Sequence, residues 1–281
     1  MSLEYSCILP HGFNLIPDLN PEQDEKSAKL ALEISSIAEQ IVNKDPEVII
    51  IASPHNLRIS ENIGIVTTEW LKGSYVEKDT EKSAEMEWKC DRKHASKLYI
   101  RAKNEGLPVV AVNFGTSEGP LSSIPLDWGT FIPLYFIKKA YEKSKKTIPQ
   151  VVLITPSRDI DWKHLVRLGE LIYLLSSEEN KKTVFIASAD QAHAHDENGP
   201  YGFDPAAKSF DDLICKMITS NSLNDLLGID QGLIEHSKPD SLWQILILSG
   251  IAVKANMVNK SCVYACPTYY GMIAASFERK I

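Results

Sequence analysis

Short, solidly apolar runs alternate along this chain with longer stretches in which apolar residues recur every three or four positions. The runs at residues 6–9, 48–52, 63–68, 109–113, 151–155 and 183–188 predict strands. The run 48–52, Val-Ile-Ile-Ile-Ala, contains no polar position, as expected of a strand covered on both faces. Helical spacing predicts helices over 22–42, 81–104, 132–143, 162–175, 204–219 and 242–253, the second stopped by Gly106 and Pro108. Two closing strands are predicted at 261–265 and 271–277. This alternation predicts a single α/β domain over 1–281, a three-layer αβα arrangement with a mainly parallel central sheet flanked by helices. Residues 115–129 and 189–205 carry no periodic pattern, and loops of that length in a compact domain tend to be functional.

Composition narrows the function classes. The formal net charge of the 281 residues is -7, which disfavours nucleic acid and anionic membrane surfaces as partners, since both need a basic face. The basic stretch 138–146 is short and reads as a solvated helix end. No apolar run approaches the roughly 18 residues of a membrane-spanning helix. The N-terminus lacks a basic start followed by an apolar stretch, and the five cysteines are scattered; a reduced, cytoplasmic protein is expected. Cys262 and Cys266 sit four apart in an apolar segment. On a strand they would lie roughly 13 Å apart, too far to chelate one ion, so core packing is expected for both.

Of the seven histidines, His94 lies in a charged helical stretch and His164 near a helix start, and both are expected at the surface. His11 and His55 differ: each follows a proline directly after an apolar strand, in Pro10-His11-Gly12 and Pro54-His55-Asn56. Ligands of open α/β sheets bind beyond the carboxyl ends of the strands, where both would stand. Two strand-end imidazoles can converge on one metal ion; they can equally cap a strand or helix by hydrogen bonding. His193 and His195 form a His-x-His pair in the polar loop after the strand 183–188, where an imidazole titrating near neutrality suits proton transfer. Asn56 and Asp190 are candidates to orient the imidazoles from behind. No Gly-x-Gly-x-x-Gly, no phosphate loop and no Gly-x-Ser-x-Gly elbow is present, which disfavours nucleotide-binding and serine-hydrolase readings.

Taken in order, Pro10-His11-Gly12, Ser53-Pro54-His55, residues 125–134 (Pro-Leu-Asp-Trp-Gly-Thr-Phe-Ile-Pro-Leu), 188–193 (Ser-Ala-Asp-Gln-Ala-His), 200–205 (Pro-Tyr-Gly-Phe-Asp-Pro) and 264–267 (Tyr-Ala-Cys-Pro) resemble the catalytic subunit of class III extradiol ring-cleavage dioxygenases, the protocatechuate 4,5-dioxygenase type. The wider superfamily includes the Memo-like proteins. The resemblance implies that His11 and His55 are iron ligands and that His193 is the active-site base. It places the third ligand, a carboxylate, shortly before the last helix, at Asp240, with Glu235 as the alternative. Asp240 also suits a helix N-cap. Two histidines and one carboxylate would leave open positions on iron(II), as in non-haem oxygenases; zinc(II) is the other metal expected. The implied reaction is the opening of a catecholic or aminophenolic ring by O2, with Trp128 and His195 as substrate contacts. A homodimer is expected as the commonest assembly of soluble chains, and the resemblance leaves open whether a small accessory subunit, used by some of these dioxygenases, is needed. One departure stands out: the family has Asp-His-Gly where this chain has Asp127-Trp128-Gly129. Tryptophan cannot transfer protons. The competing expectations are a Memo-like metal-binding or interaction protein without ring cleavage, and a zinc hydrolase in the same pocket.

Overall fold

A computed structural model describes residues 2–280. Its centre is built from the apolar runs. Strands β1 (Leu3–Leu9), β2 (Val48–Ala52), β3 (Ile63–Val66), β6 (Val109–Val112), β8 (Gln150–Pro156) and β9 (Thr183–Ser188) join the closing pair β10 (Met257–Ala265) and β11 (Met272–Arg279) in an eight-stranded sheet. The order is β10-β11-β1-β9-β2-β8-β3-β6. Its middle, β1-β9-β2-β8, is parallel, while β11 on β1, β10 on β11 and β3 on β8 run antiparallel, so the sheet is mixed. The remaining strands β4 (Trp70–Val76), β5 (Ser83–Lys89) and β7 (Ser123–Pro125) form a separate three-stranded sheet, ordered β5-β4-β7.

Side chains alternate between the two faces of the large sheet, and each face has its own core. Ile49 and Ile51 of β2, with Val151 and Leu153 of β8, meet α1 (Glu25–Lys44) and α3 (Trp128–Ser144). Ile50 of β2 and Val152 of β8 face the opposite core, built with α2 (Arg92–Asn104), α4 (Trp162–Glu178), α5 (Ala206–Thr219) and α7 (Leu242–Ala255). A short helix, α6 (Gln231–Ser237), precedes α7. The result is the three-layer α/β arrangement that the alternation predicts.

Helix ends follow local chemistry. The Asp24 carboxylate accepts from the amides of Lys26 and Ser27 and starts α1; Asp45, at φ 51°, ends it. Helix α3 begins four residues earlier than its apolar spacing predicts, because Asp127 caps it and accepts from the Thr130 amide.

One helix is overturned. Residues 81–104 are not continuous: β5 occupies Ser83–Lys89, and α2 starts at Arg92 behind an Asp91 cap. Met86 and Trp88 are buried between exposed Glu85, Glu87 and Lys89, a period of two that the abundance of good helix formers had masked. The strand β4 beside it, inside the stretch 63–81, carries no expectation from the sequence. The unpatterned stretch 115–129 also supplies β7 and the first turn of α3.

Candidate metal centre

The carboxyl ends of β1, β9 and β2 stand side by side, and the residues just beyond them meet. His11 follows β1, Asp190 follows β9, and His55 follows β2; Asp240 arrives from the residue pair before α7. His11 Nε2 lies 3.0 Å from His55 Nε2, and Asp240 Oδ2 lies 3.4 Å from the first and 2.9 Å from the second. Among the described residues these three side chains form a group able to hold a metal, their ligand atoms all within 4.8 Å of one another. His193 Nε2 stands 4.0 Å from the same Asp240 oxygen. His11 and Asp240 are buried, and His55 and His193 are the partly open members.

Hydrogen bonds decide which nitrogen of each ring carries the proton. Pro133 lies inside α3 and has no N–H, so the carbonyl of Gly129, four residues earlier, has no helical partner. Ser188, the last residue of β9, donates its hydroxyl to that carbonyl. Its oxygen is thereby left to accept from His11 Nδ1, 2.8 Å away. The proton of a neutral His11 therefore sits on Nδ1, and Nε2 presents a lone pair to the centre. His193 follows the same logic: Nδ1 is 2.8 Å from the Gln191 carbonyl, which can only accept, so Nε2 is the free base.

The supports are short-range. Asp190 accepts the His11 backbone N–H on Oδ1 at 3.0 Å, holds Oδ2 3.6 Å from His11 Nε2, and donates its own N–H to Asp240 Oδ1 at 3.0 Å. Asp127 ties the His55 loop to α3 by accepting from Ser53 Oγ at 2.6 Å, Asn56 Nδ2 at 2.9 Å and Thr130 Oγ1 at 2.7 Å. Gly129 is needed there, since a Cβ would lie 2.6 Å from Ser53 Oγ and 3.2 Å from the His55 ring. Gly12 is confined likewise, 2.5 Å from Met272 Sδ. Trp128, the first residue of α3, is partly exposed and stacks on His55 with ring centroids 4.3 Å apart. Tyr270 stacks on His193 at 5.1 Å, and Tyr201 meets it edge-on at 5.9 Å.

The charges fit a cation. Burial would lower His11, but Asp190 and Asp240 outweigh it and raise the group to about 9. Burial pushes Asp190 up to about 7 despite His11. Burial would also raise Asp240, yet His11 and His55 hold it well below the carboxylate range. Desolvation lowers His55 and His193, against the pull of Asp240. In the metal-free protein the proton on His11 balances the buried carboxylates, and a divalent ion can take its place with the donor set present.

Several expectations are corrected. His195 does not face the cluster: its Nε2 meets the buried Asp211 Oδ2 at 2.8 Å, which also accepts from Tyr264 Oη at 2.8 Å. Asp211 Oδ1 accepts from the Ala192 amide at 2.9 Å, so this buried carboxylate pins the loop on both sides of His193. Glu235 is exposed on α6 and lies outside the cluster. Asn56 orients no imidazole; it bonds Asp127 and the Pro125 carbonyl. His94 is buried, its Nδ1 2.8 Å from Glu179, because α4 closes over that face of α2. His164 is half-buried. Ser188 opens the 188–193 motif but carries no role in the sequence reading, and Tyr270, just before the run 271–277, has no sequence signal.

Two strand-end imidazoles and a carboxylate thus meet at the edge of a three-layer α/β frame. The chain belongs to the family of the catalytic LigB subunit of aromatic ring-opening dioxygenase, whose model matches residues 5–276. It is 30% identical over 251 residues to Protein CA_C1420 of Clostridium acetobutylicum, covering 89% of this chain and 52% of that protein. The chain thus spans about half the length of the curated relative it matches. In fold it resembles the crystal structure of uncharacterized protein JW3007 from Escherichia coli K12, at a TM-score of 0.53 and 14% identity over 97% of this chain and 99% of that one. No helix among the described residues is long and apolar enough to cross a membrane.

Proposed function

We propose that this protein opens the ring of a vicinal aromatic diol or aminophenol with O2, using iron(II) held by His11, His55 and Asp240, with His193 as the base. The observation that carries this reading is the convergence of His11 Nε2, His55 Nε2 and Asp240 Oδ2, with the unprotonated Nε2 of His193 4.0 Å from the same oxygen. Iron(II) bound there would supply Lewis acidity and the electrons that dioxygen chemistry needs. The protein does the rest. Ser188 keeps the His11 lone pair inward. His193 Nε2, set by the Gln191 carbonyl, takes the proton of a substrate hydroxyl. Trp128, beside His55, and Tyr201, beside His193, offer aromatic surface to a ring substrate.

Protein purified without oxygen and supplied with iron should bind about one ion per chain and consume O2 in step with loss of a simple catechol. His193→Ala should keep the iron and slow turnover about 10²–10⁴-fold. Iron-loaded protein that consumes no O2 with any diol or aminophenol would sink the reading. One observation favours a second: Trp128, stacked at 4.3 Å on His55, stands where the resembling dioxygenases carry a histidine. A Memo-like metal-binding protein without ring cleavage would keep the metal and show no oxygen uptake. Zinc in place of iron, with ester or amide hydrolysis, would point to a hydrolase.

A further inference from the structure

Helix α5 and the edge strand β10 lie side by side and run in opposite directions, with two cysteines at the same level between them. One end of the pair is tied by Tyr264 of β10, whose hydroxyl donates to Asp211 of α5 at 2.8 Å. The other end is tied just past the helix, where Asn221 Oδ1 accepts from the Asn259 amide at 2.5 Å. From Asp211 to Asn221 the helix side advances about 15 Å. From Tyr264 back to Asn259 the strand covers about 17 Å. Cys215 lies one turn, about 6 Å, past Asp211, and Cys262 lies two residues, about 7 Å, before Tyr264. Helix positions four apart share a face, as do strand positions two apart, so Cys215 follows Asp211 and Cys262 follows Tyr264 into the same interface. The packing agrees: Cys215, Cys262 and Tyr264 lie against one core, while Val263 packs against the other.

These two thiols differ from the other three. Cys7 and Cys90 are buried, and burial pushes both up, Cys90 to about 12. Cys266 is half-buried, yet burial still pushes it up to about 11, and its Sγ is engaged with the Thr268 carbonyl at 3.3 Å. Cys215 and Cys262 are half-buried, within reach of a small solute, and each is the largest influence on the other. Hydrogen bonding between them lowers Cys262 and raises Cys215, and burial adds to the rise of Cys215. Cys262 is therefore the sulfur disposed to give up its proton, with a second thiol beside it. An accessible thiol of that kind next to a resolving partner is the arrangement of a redox-responsive pair.

We propose that Cys215 and Cys262 form a reversible oxidation site, in which hydrogen peroxide converts the two thiols to a disulfide that staples α5 to β10. Cys262 attacks one peroxide oxygen; the O–O bond breaks, the departing hydroxide takes the Cys262 proton as water, and the sulfur becomes a sulfenic acid. Cys215 then attacks that sulfur; the S–S bond forms, the S–O bond breaks, and the departing hydroxide takes the Cys215 proton as a second water. Peroxide is reduced by the two electrons that the thiols give up. A dithiol reductant reverses the bond by exchange. The staple closes one helical turn from Asp211, the carboxylate that holds the loop on both sides of His193, so oxidation acts on the element that supports that loop. The thiol chemistry is independent of the reaction at the metal centre.

The full chain, with iron withheld, is treated with hydrogen peroxide and digested without reduction. Free thiols should fall from five to three, and mass spectrometry should find Cys215 joined to Cys262. The unfolding midpoint should rise by about 5 °C, as expected of a bond that closes a long loop, and dithiothreitol should return it. With dimedone present, Cys215→Ser should carry the sulfenic-acid adduct on Cys262, whereas Cys262→Ser should react with peroxide about tenfold more slowly. Thiols that stay at five in folded protein under excess peroxide overturn the site, as does a disulfide that joins any other pair of cysteines or two chains. An adduct on Cys215 in Cys262→Ser that forms as fast as the one on Cys262 in Cys215→Ser overturns the assignment of Cys262 as the attacking sulfur.

Discussion

Two imidazole–carboxylate clusters of this fold differ in how their acids are paired, one around α2 and α4 and one at the carboxyl end of the large sheet. Around α2 and α4, His94 meets Glu179 at 2.8 Å, Glu179 also accepts from Lys97, and Asp91 pairs with Lys181 while accepting the His94 amide at 2.9 Å. Each acid there has a lysine. At the sheet's carboxyl end, Asp190 and Asp240 face His11, His55 and His193, and among the described residues no lysine or arginine is in ion-pair contact with them. The first cluster pairs each acid with a lysine, and the second balances its acids only with the proton on His11, a place a metal ion can take. Buried charges are costly, so a fold retains such a site where a ligand completes it.

The comparison breaks most sharply at the ligands. His11→Ala or Asp240→Ala should abolish stoichiometric metal binding in elemental analysis. His94→Ala should leave the metal untouched and lower unfolding stability by about 1–3 kcal/mol. If the His94 variant loses metal, or the His11 variant keeps it, the two clusters do not differ as described.

Removing the metal should expose a pH dependence. In the metal-free protein His11 is raised to about 9, so the stability it contributes is complete below about 6.5 and is lost as pH rises through 9. Asp190, raised to about 7, acts in the same direction as it ionises. Thermal scans of metal-free protein should show a midpoint falling by several degrees between pH 7 and pH 9. Metal-loaded protein should not show this fall, because the ion replaces the proton. A flat profile in metal-free protein would contradict the proton assigned to His11.

Smaller effects should follow from the supports. Ser188→Ala leaves His11 Nδ1 without its partner and should weaken metal binding about 10–100-fold in a chelator competition, with little change in fold. Trp128→Ala should retain the metal and weaken binding of aromatic ligands about fivefold by fluorescence or calorimetry, the scale of one lost ring–ring contact.

How far the sequence reached depended on the range of the interactions. The β-branched run 48–52 announced its own burial, and β5 was misread because its glutamates and lysines favour helices while its alternation needs a partner strand to matter. His11 and His55 were visible as strand-end residues after prolines. The choice between Asp240 and Glu235, five positions apart, needed α6 to turn one outward and α7 to bring the other within 2.9 Å of His55. His193 and His195 looked alike in one loop until the buried Asp211 engaged the second.

By itself, then, the sequence determined the layers, the strand ends and the residue types of a metal centre, because burial and turn chemistry act over a few neighbouring positions. The tertiary structure decided which atoms converge and which tautomer each imidazole takes. The chain from Pro133 through the freed Gly129 carbonyl and Ser188 to His11 joins residues more than a hundred positions apart. Folding alone brings such groups within hydrogen-bond distance, and no local pattern encodes them.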